Sequence, residues 1–165
     1  MGIEIRKATY SDLNKIKELS EEVLPNAFHG VLTTEQIDYM LDRLYSQEAL
    51  RYDINSDDHI AYVATIDGID CAYACLIKQG PDLYYMPKIY VDNRQMRKGI
   101  GTKLFNKMVE NIKESHPAPL TIEVKVNHYN MARKFYEKLG FRITREDMTN
   151  LNEAVIAEEV GSKTV

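Results

Sequence analysis

The sequence predicts a single α/β domain with a central mixed, mostly antiparallel sheet and flanking helices. Segments of alternating apolar and polar residues follow one another between turn sequences in the middle of the chain, which is typical of a meander of strands. A helical pattern and another strand come after the meander, and this order requires a parallel crossover connection. The chain has 165 residues and no internal repeat or linker, a length that suits one domain with a proper core.

The composition is that of an ordinary globular protein, with 44% apolar and 28% charged residues. The net charge of -4 does not suit a nucleic-acid-binding protein. We expect a cytoplasmic chain with no membrane partner, because the N-terminus lacks an apolar signal segment and no stretch approaches the roughly 18 apolar residues of a membrane span. Cys71 and Cys75 are expected on one face of a strand, as buried thiols rather than as a disulfide or a metal pair.

The sequence predicts one strand and two helices before the meander. Residues 3–6 alternate as in a short strand, and Ser11 can cap a helix whose apolar stripe has a period of 3.6 residues. This helix is predicted to end at Pro25. After a loop, a capping box that begins at Thr33 starts a second helix, which is predicted to extend to about Leu50.

The meander itself contains three predicted strands, Ile60–Ile66, Ile69–Lys78 and Leu83–Val91. Asp67-Gly68 between the first two is a hairpin signal. Pro87 lies within the third strand and cannot donate a backbone hydrogen bond, so we expect a bulge or an unpaired edge there.

The C-terminal part is predicted as a helix, a strand, a short helix and two further strands. The first strand, residues 120–126, alternates strictly between apolar and polar residues. Residues 131–139 are predicted helical and residues 141–144 as a strand, with a loop after it and a last strand over 153–160. The single domain therefore covers residues 1–165, and its end is expected to fray from Gly161 onward.

A glycine-containing loop between residues 91 and 103 carries the first chemical signal. Here a strand ends, a basic loop follows, and Gly99 and Gly101 open a helix. A helix start exposes unpaired amides and a positive dipole end, and glycine lets an anion approach them, so the loop resembles a phosphate or pyrophosphate cradle. The same Gly-x-Gly also occurs for packing alone. It matches neither a Walker loop nor the three-glycine dinucleotide fingerprint.

Residues 132–141, Ala-Arg-Lys-Phe-Tyr-Glu-Lys-Leu-Gly-Phe, form a second motif. Together with the glycine loop, in this order and at this separation, it resembles the GNAT family of acetyl-CoA-dependent N-acetyltransferases. The resemblance spans about Ile3 to Phe141 and is most specific from Tyr85 onward. The second predicted helix and the loop before it loosely resemble bacterial polyamine or small-amine acetyltransferases of this family.

The resemblance implies a position for acetyl-CoA and a role for one tyrosine. In this family the strand before the loop and the parallel strand after it splay apart, the pantetheine arm pairs with the first strand, and the pyrophosphate lies on the loop amides. Tyr136 corresponds to the general acid that protonates the CoA thiolate. An asparagine before the last helix contacts the CoA arm, and Asn130 is favoured over Asn127. The implied cofactor-binding residues are Ile89, Tyr90, Val91, Arg97, Lys98, Gly99, Ile100, Gly101, Thr102 and Asn130.

Three positions depart from the family pattern. Met96 stands where Arg or Gln is common, and Asn130 is two rather than three residues before Ala132. Many members have a glutamate on the strand before the loop that acts as a base through water, but residues 84–88 contain no carboxylate. Either another group is the base, or the amine arrives already neutral.

Several other side chains have both a chemical and an ordinary structural interpretation. A strand glutamate could take a proton or attract an ammonium group, or could simply be exposed. Histidines in predicted loops and turns could act as bases, or could be solvated. Tyrosines beside the expected acetyl site could bind a cationic amine through their rings, or could pack as strand residues. These residues are Glu123; His29, His59 and His128; and Tyr84, Tyr85 and Tyr90.

The resemblance therefore predicts an N-acetyltransferase that moves acetyl from acetyl-CoA to a primary amine by direct attack. The acceptor is a small amine, a polyamine, an amino acid or a peptide amine, and neither a metal nor a nucleic acid is expected. The alternatives are an acyl-CoA-binding sensor without turnover, and a domain whose loop binds another phosphorylated ligand. Homodimers are common in the family, but nothing in the sequence fixes an interface.

Overall fold

A computed structural model describes residues 2–95, 99–126, 132–151 and 154–165. They form a seven-stranded sheet with helices on both faces. Short 3₁₀ turns precede the first and fourth helices. The elements are β1 (Ile3–Lys7), α1 (Leu13–Ala27), α2 (Thr34–Tyr45), α3 (Gln47–Asn55), β2 (His59–Ile66), β3 (Ile69–Gly80), β4 (Leu83–Val91), α4 (Ile100–Ser115), β5 (Thr121–Val126), α5 (Ala132–Lys138), β6 (Arg142–Leu151) and β7 (Ala154–Thr164).

The strand order is β1-β2-β3-β4-β5-β7-β6. The β4–β5 pair is parallel, and the other neighbouring pairs of described strands are antiparallel. The predicted mixed, mostly antiparallel sheet and its parallel crossover through α4 are therefore confirmed.

The sheet separates two hydrophobic cores. On one face α4 contributes Leu104, Phe105 and Met108, and α5 packs beside them. On the other face α1, α2 and α3 cover the sheet, with Ile16 and Leu50 among their buried residues. No helix among the described residues is both long enough and apolar enough to span a membrane.

Local signals in the meander are confirmed. Asp67 and Gly68 have φ angles of 52° and 81°, as a tight hairpin turn requires. β4 has the predicted bounds. Its register with β3 jumps from the pair Cys75–Lys88 to the pair Ile77–Tyr85, so that Pro87 lies within the expected bulge.

Two predicted helix ends are wrong. Pro25 lies inside α1, which continues to Ala27, because a proline in the last turn removes only one helical hydrogen bond. The helix predicted to run from Thr33 to Leu50 is two helices. Ser46 between them has extended backbone, with φ -63° and ψ 159°, and its hydroxyl accepts a hydrogen bond from the amide of Ala49 to cap α3.

The predicted fraying after Gly161 is also wrong. β7 continues to Thr164 because it lies between β5 and β6, where Gly161 is buried opposite Val124. The terminal Val165 exchanges two backbone hydrogen bonds with Leu120. The strand predicted over 141–144 likewise extends to Leu151, because it pairs with β7 throughout.

The two cysteines are free and buried, as expected, but they do not share a face. Thr65 pairs with Asp70 and Ala64 with Ala72, so Cys71 is an extra residue in a bulge. This shift places Cys71 in the core under α4 and Cys75 in the core under α1–α3. The expectation of one shared face is wrong because it assumed that side chains alternate between the two faces without interruption along β3.

Candidate active site

β4 and β5 part within the sheet. The two strands pair in the ladder at Leu83–Thr121, Tyr84–Ile122 and Tyr85–Glu123, and they form no further ladder pair among the described residues. β4 stays with β3 to its end at Val91, whereas β5 stays with β7 to its own end. The separation begins beside the Pro87 bulge, and it leaves backbone groups of β4 beyond Tyr85 facing an opening in the sheet.

The N-terminus of α4 follows the end of β4 after a short loop. Gly99 precedes the helix with φ 71° and ψ 17°, a left-handed conformation that glycine adopts without strain. Gly99 is exposed, no side chain among the described residues caps the helix start, and the first turn contains no acidic residue. The positive end of α4 is therefore suited to an anion. Met96, Arg97 and Lys98 lie outside the described residues.

Gly101 has a packing role. A Cβ atom at this buried position would lie 3.0 Å from Cζ of Phe135 and 3.5 Å from Cγ2 of Val91. The missing side chain therefore lets α5 and the end of β4 approach the first turn of α4. This observation supports the packing interpretation that the sequence left open for the second glycine.

Tyr136 lies half-buried on α5, beside the core under α4. Its ring centroid is 5.8 Å from that of Phe141 and 5.7 Å from that of Phe135. Burial, followed by the electrostatic effect of Tyr90 and Tyr85, raises the pKa of Tyr136 well above that of a free phenol. Its hydroxyl therefore stays protonated at neutral pH and can donate a proton.

Lys88, just beyond the Pro87 bulge, anchors β4 to the helices beneath it. Its side chain is 4% exposed, and its ammonium donates to Oδ2 of Asp53 at 2.6 Å and to the carbonyl of Leu44. The ammonium also lies 4.7 Å from the ring centroid of Tyr45. These contacts join β4 to the end of α2 and to α3.

Asp53 accepts two further contacts, from the Tyr73 hydroxyl at 3.0 Å and from Nδ1 of His59 at 3.0 Å. The ligating atoms of Asp53, His59 and Cys75 lie within 4.8 Å of one another, a spacing that a metal ion could use. The carboxylate already binds an ammonium and a hydroxyl, however, and burial raises the pKa of the Cys75 thiol so that it stays protonated. His59, one of the candidate bases, thus belongs to a hydrogen-bonded network.

Two carboxylates near the parting strands are already paired. Arg145 donates to both oxygens of Glu123, at 2.8 and 3.3 Å, which neutralises the glutamate that the sequence suggested as a proton acceptor. Lys125 lies 3.5 Å from Asp147 and 5.8 Å from the ring centroid of Tyr85.

Glu158 on β7 is a carboxylate that the sequence analysis did not select. It is half-buried and stands opposite Asp147 in the β6–β7 ladder. Burial and then the charge of Glu158 raise the pKa of Tyr85, and Glu158 also contributes to the raised pKa of the half-buried Tyr90. No local signal could have identified it, because the pattern of a strand does not reveal its neighbours in the sheet.

The other predicted site residues occupy varied positions. His29 is exposed in the turn after α1, and Tyr84 is buried in the core under α4. Ile89 and Ile100 are buried, and Thr102 is exposed in the first turn of α4. Tyr90 packs edge-on against Tyr45 with ring centroids 5.8 Å apart, on the face under α1–α3. Asn127, His128 and Asn130 lie outside the described residues.

Comparisons with known proteins agree with this geometry. Residues 28–152 match the model of a family described as an acetyltransferase (GNAT) domain. Among solved structures, the PaiA N-acetyltransferase of Thermoplasma acidophilum, in complex with coenzyme A, is 22% identical, with all of both chains covered and a TM-score of 0.86. A probable acetyltransferase of Staphylococcus epidermidis is 18% identical, with 99% of each chain covered and a TM-score of 0.78.

The ribosomal-protein-S18-alanine N-acetyltransferase of Escherichia coli is 16% identical, with 99% of this chain and 94% of that chain covered and a TM-score of 0.73. Sequence identities this low show that the chain has the same fold as these structures, and no more than the fold.

Proposed function

The chain belongs to the acetyltransferase (GNAT) family, and from this premise we propose that it transfers the acetyl group of acetyl-CoA to a primary amine. The observation that carries the proposal is the parting of β4 from β5 next to the open positive end of α4. An extended ligand arm with a pyrophosphate at one end fits an unpaired strand edge that continues into a helix N-terminus.

Acetyl-CoA would use two parts of this site. The backbone of Ile89, Tyr90 and Val91 offers hydrogen-bonding groups to the pantetheine arm. The amides of residues 97–102 would hold the pyrophosphate, helped by the dipole of α4 and by the positive charges of Arg97 and Lys98. The coenzyme A complex of PaiA supports this class of ligand here. Asn130 remains our proposed contact to the CoA arm.

Tyr136 would act as the general acid. The amine nitrogen attacks the thioester carbonyl, so that a C–N bond forms and the C–S bond breaks. The Tyr136 hydroxyl donates its proton to the departing sulfur, and the surplus proton of the new amide nitrogen restores the phenol. The raised pKa of Tyr136 keeps the proton on its hydroxyl at neutral pH, which is the form that a general acid needs.

The acceptor would enter from the face that carries Tyr85 and Tyr90. Tyrosine rings attract ammonium groups, and the net charge of -4 does not repel a cation at long range. Acceptors of this kind are small amines, polyamines, amino acids and peptide amines.

The test is the release of free thiol from acetyl-CoA by the purified protein with a panel of amines that includes spermidine, amino acids and a lysine peptide. Amine-dependent release is expected, and Tyr136→Phe should lower kcat by about 10²-fold or more without changing the KM for acetyl-CoA. Tyr52→Phe is the matched control, because Tyr52 is 63% exposed and lies outside the site.

Full turnover by Tyr136→Phe would remove the tyrosine from the mechanism. The second candidate function is an acyl-CoA sensor, which the absence of a carboxylate from residues 84–88 favours. In that case acetyl-CoA would raise the melting temperature while no amine released thiol.

A further inference from the structure

We propose that Glu158 receives the ammonium group of the acceptor and takes its proton before the attack on the thioester. The inference rests on the acetyl transfer proposed above and assigns the base that the sequence did not provide. Its substrate class is amines that are charged at neutral pH.

The strand register places Glu158 at the opening between β4 and β5. Lys125 stands opposite Val160 across the β5–β7 ladder, and opposite residues point to the same face of a sheet. Glu158 is two residues from Val160 and therefore shares that face. Lys125 lies over the ring of Tyr85, so β4, β5 and β7 all contribute side chains to this surface.

The position along the strands agrees with this role. β4 and β5 pair where β5 begins, and β7 runs antiparallel to β5. Glu159 pairs with Val126 at the far end of β5, so Glu158 lies just past that end, where the two parallel strands have already separated. A carboxylate there borders the gap in which the proposed acetyl group would lie.

Glu158 also differs from the neighbouring carboxylates in its charge balance. Glu123 is paired with Arg145, Asp147 with Lys125, and Glu159 with Arg133 at 2.9 Å. Within the part of the chain that the structure describes, no ion pair of Glu158 is recorded. A half-buried carboxylate without a counter-ion attracts a cation, and the acceptor amine supplies one. The charge of Glu158 is also one cause of the raised pKa of Tyr85 and of Tyr90, which agrees with a position beside both rings.

The proton balance is complete with this assignment. The ammonium transfers one proton to the Glu158 carboxylate, which leaves a neutral amine as the nucleophile. The second surplus proton leaves the nitrogen after the C–N bond forms and replaces the one that Tyr136 gave to the sulfur. Glu158 then releases its proton to solvent, so one proton is released for each acetyl group transferred.

The experiment compares Glu158→Gln with Glu146→Gln. Glu146 is exposed on the same β6–β7 hairpin and stands opposite Glu159 in the strand ladder. Its carboxylate therefore lies on the face of the sheet opposite to that of Glu158. At neutral pH, Glu158→Gln should lower kcat/KM for a strongly basic amine by about 10²-fold, while Glu146→Gln should match the wild type. The KM for acetyl-CoA should not change in either variant.

A pH profile and a second acceptor separate proton transfer from mere structure. The rate of Glu158→Gln should rise tenfold per pH unit, because only the amine that is already neutral reacts. A weakly basic acceptor such as O-methylhydroxylamine is neutral at pH 7, so Glu158→Gln and the wild type should use it equally. Glu158→Asp, which keeps the carboxylate, should recover part of the lost rate.

Two results would overturn the inference while leaving the proposed function standing. One is equal amine turnover by Glu158→Gln and Glu146→Gln. The other is an equal loss of rate with the basic and the weakly basic acceptor. If the wild type releases no thiol with any amine, the proposed function itself fails and the assignment of Glu158 fails with it.

Discussion

Replacing Lys88 with methionine should destabilise the protein by about 3–5 kcal/mol, because it breaks a buried ion pair and leaves one charge behind. The side chains of Lys88 and Asp53 are 4% and 7% exposed, and their charged atoms lie 2.6 Å apart. Methionine retains most of the apolar stem of lysine, so the loss comes from the missing ammonium rather than from a cavity.

The magnitude follows from the contacts that the Asp53 carboxylate keeps after the ammonium is removed. Tyr73 still donates to the carboxylate and His59 remains 3.0 Å away, but neither supplies a fixed positive charge. The Leu44 carbonyl also loses a donor, which adds about 1 kcal/mol. Replacing both partners removes the stranded charge, so the double variant Lys88→Met/Asp53→Asn should lose less stability than the two single variants added together.

A double-mutant cycle tests this. Urea unfolding gives the free energy of unfolding of the wild type, both single variants and the double variant. Lys78→Met is the matched control, because Lys78 is exposed on β3 and should tolerate the same change within about 0.5 kcal/mol. A free energy of unfolding for Lys88→Met within about 1 kcal/mol of the wild type would refute the reasoning, as would strict additivity in the cycle.

Two further changes test other parts of the structure. Gly101→Ala places a methyl group 3.0 Å from the ring of Phe135, so we expect a loss of about 1–3 kcal/mol in a melting experiment and weaker stabilisation by acetyl-CoA; an unchanged melting temperature would contradict the close contact. Burial, together with Asp12, raises the pKa of Asp70 from 3.8 to about 7, although Arg6 and Lys15 oppose this shift. Because the folded state then holds a proton that the unfolded state loses, the Asp70 contribution to stability should fall as the pH rises from about 4 to 7. Asp70→Asn should therefore be more stable than the wild type at pH 8 but not at pH 4, and an equal difference at the two pH values would contradict this linkage.

The sequence predicted those features of the fold that local signals determine. The bounds of β4, its bulge at Pro87 and the crossover to β5 follow from alternation, a missing amide and element order. The break at Ser46 was missed because no glycine or proline marks it and the next helix begins directly after the serine cap. The buried end of β7 was missed because alternation does not reveal that a strand lies between two others. A one-residue bulge at Cys71 was enough to reverse the expected face.

The candidate site was predictable to the same extent. Gly99 was recognised from its place between a strand and a helix, and its left-handed backbone agrees with that position. The partnership of Lys88 with Asp53 joins residues 35 positions apart, and only the fold brings them together. The proposed role of Glu158 depends likewise on strand order and on ion pairs that neutralise its neighbours. Tyr136 as general acid and the acetyl-CoA contacts remain predictions.

The gap between β4 and β5 also bears on the solubility of the protein. An unpaired strand edge inside the sheet is a template on which another polypeptide can add, and proteins commonly protect such edges with proline or charge. Pro87 removes one amide from this segment. A ligand arm lying along β4 would fill the remaining positions. We therefore expect the protein to aggregate more slowly during storage or heating when CoA is present than when it has been removed.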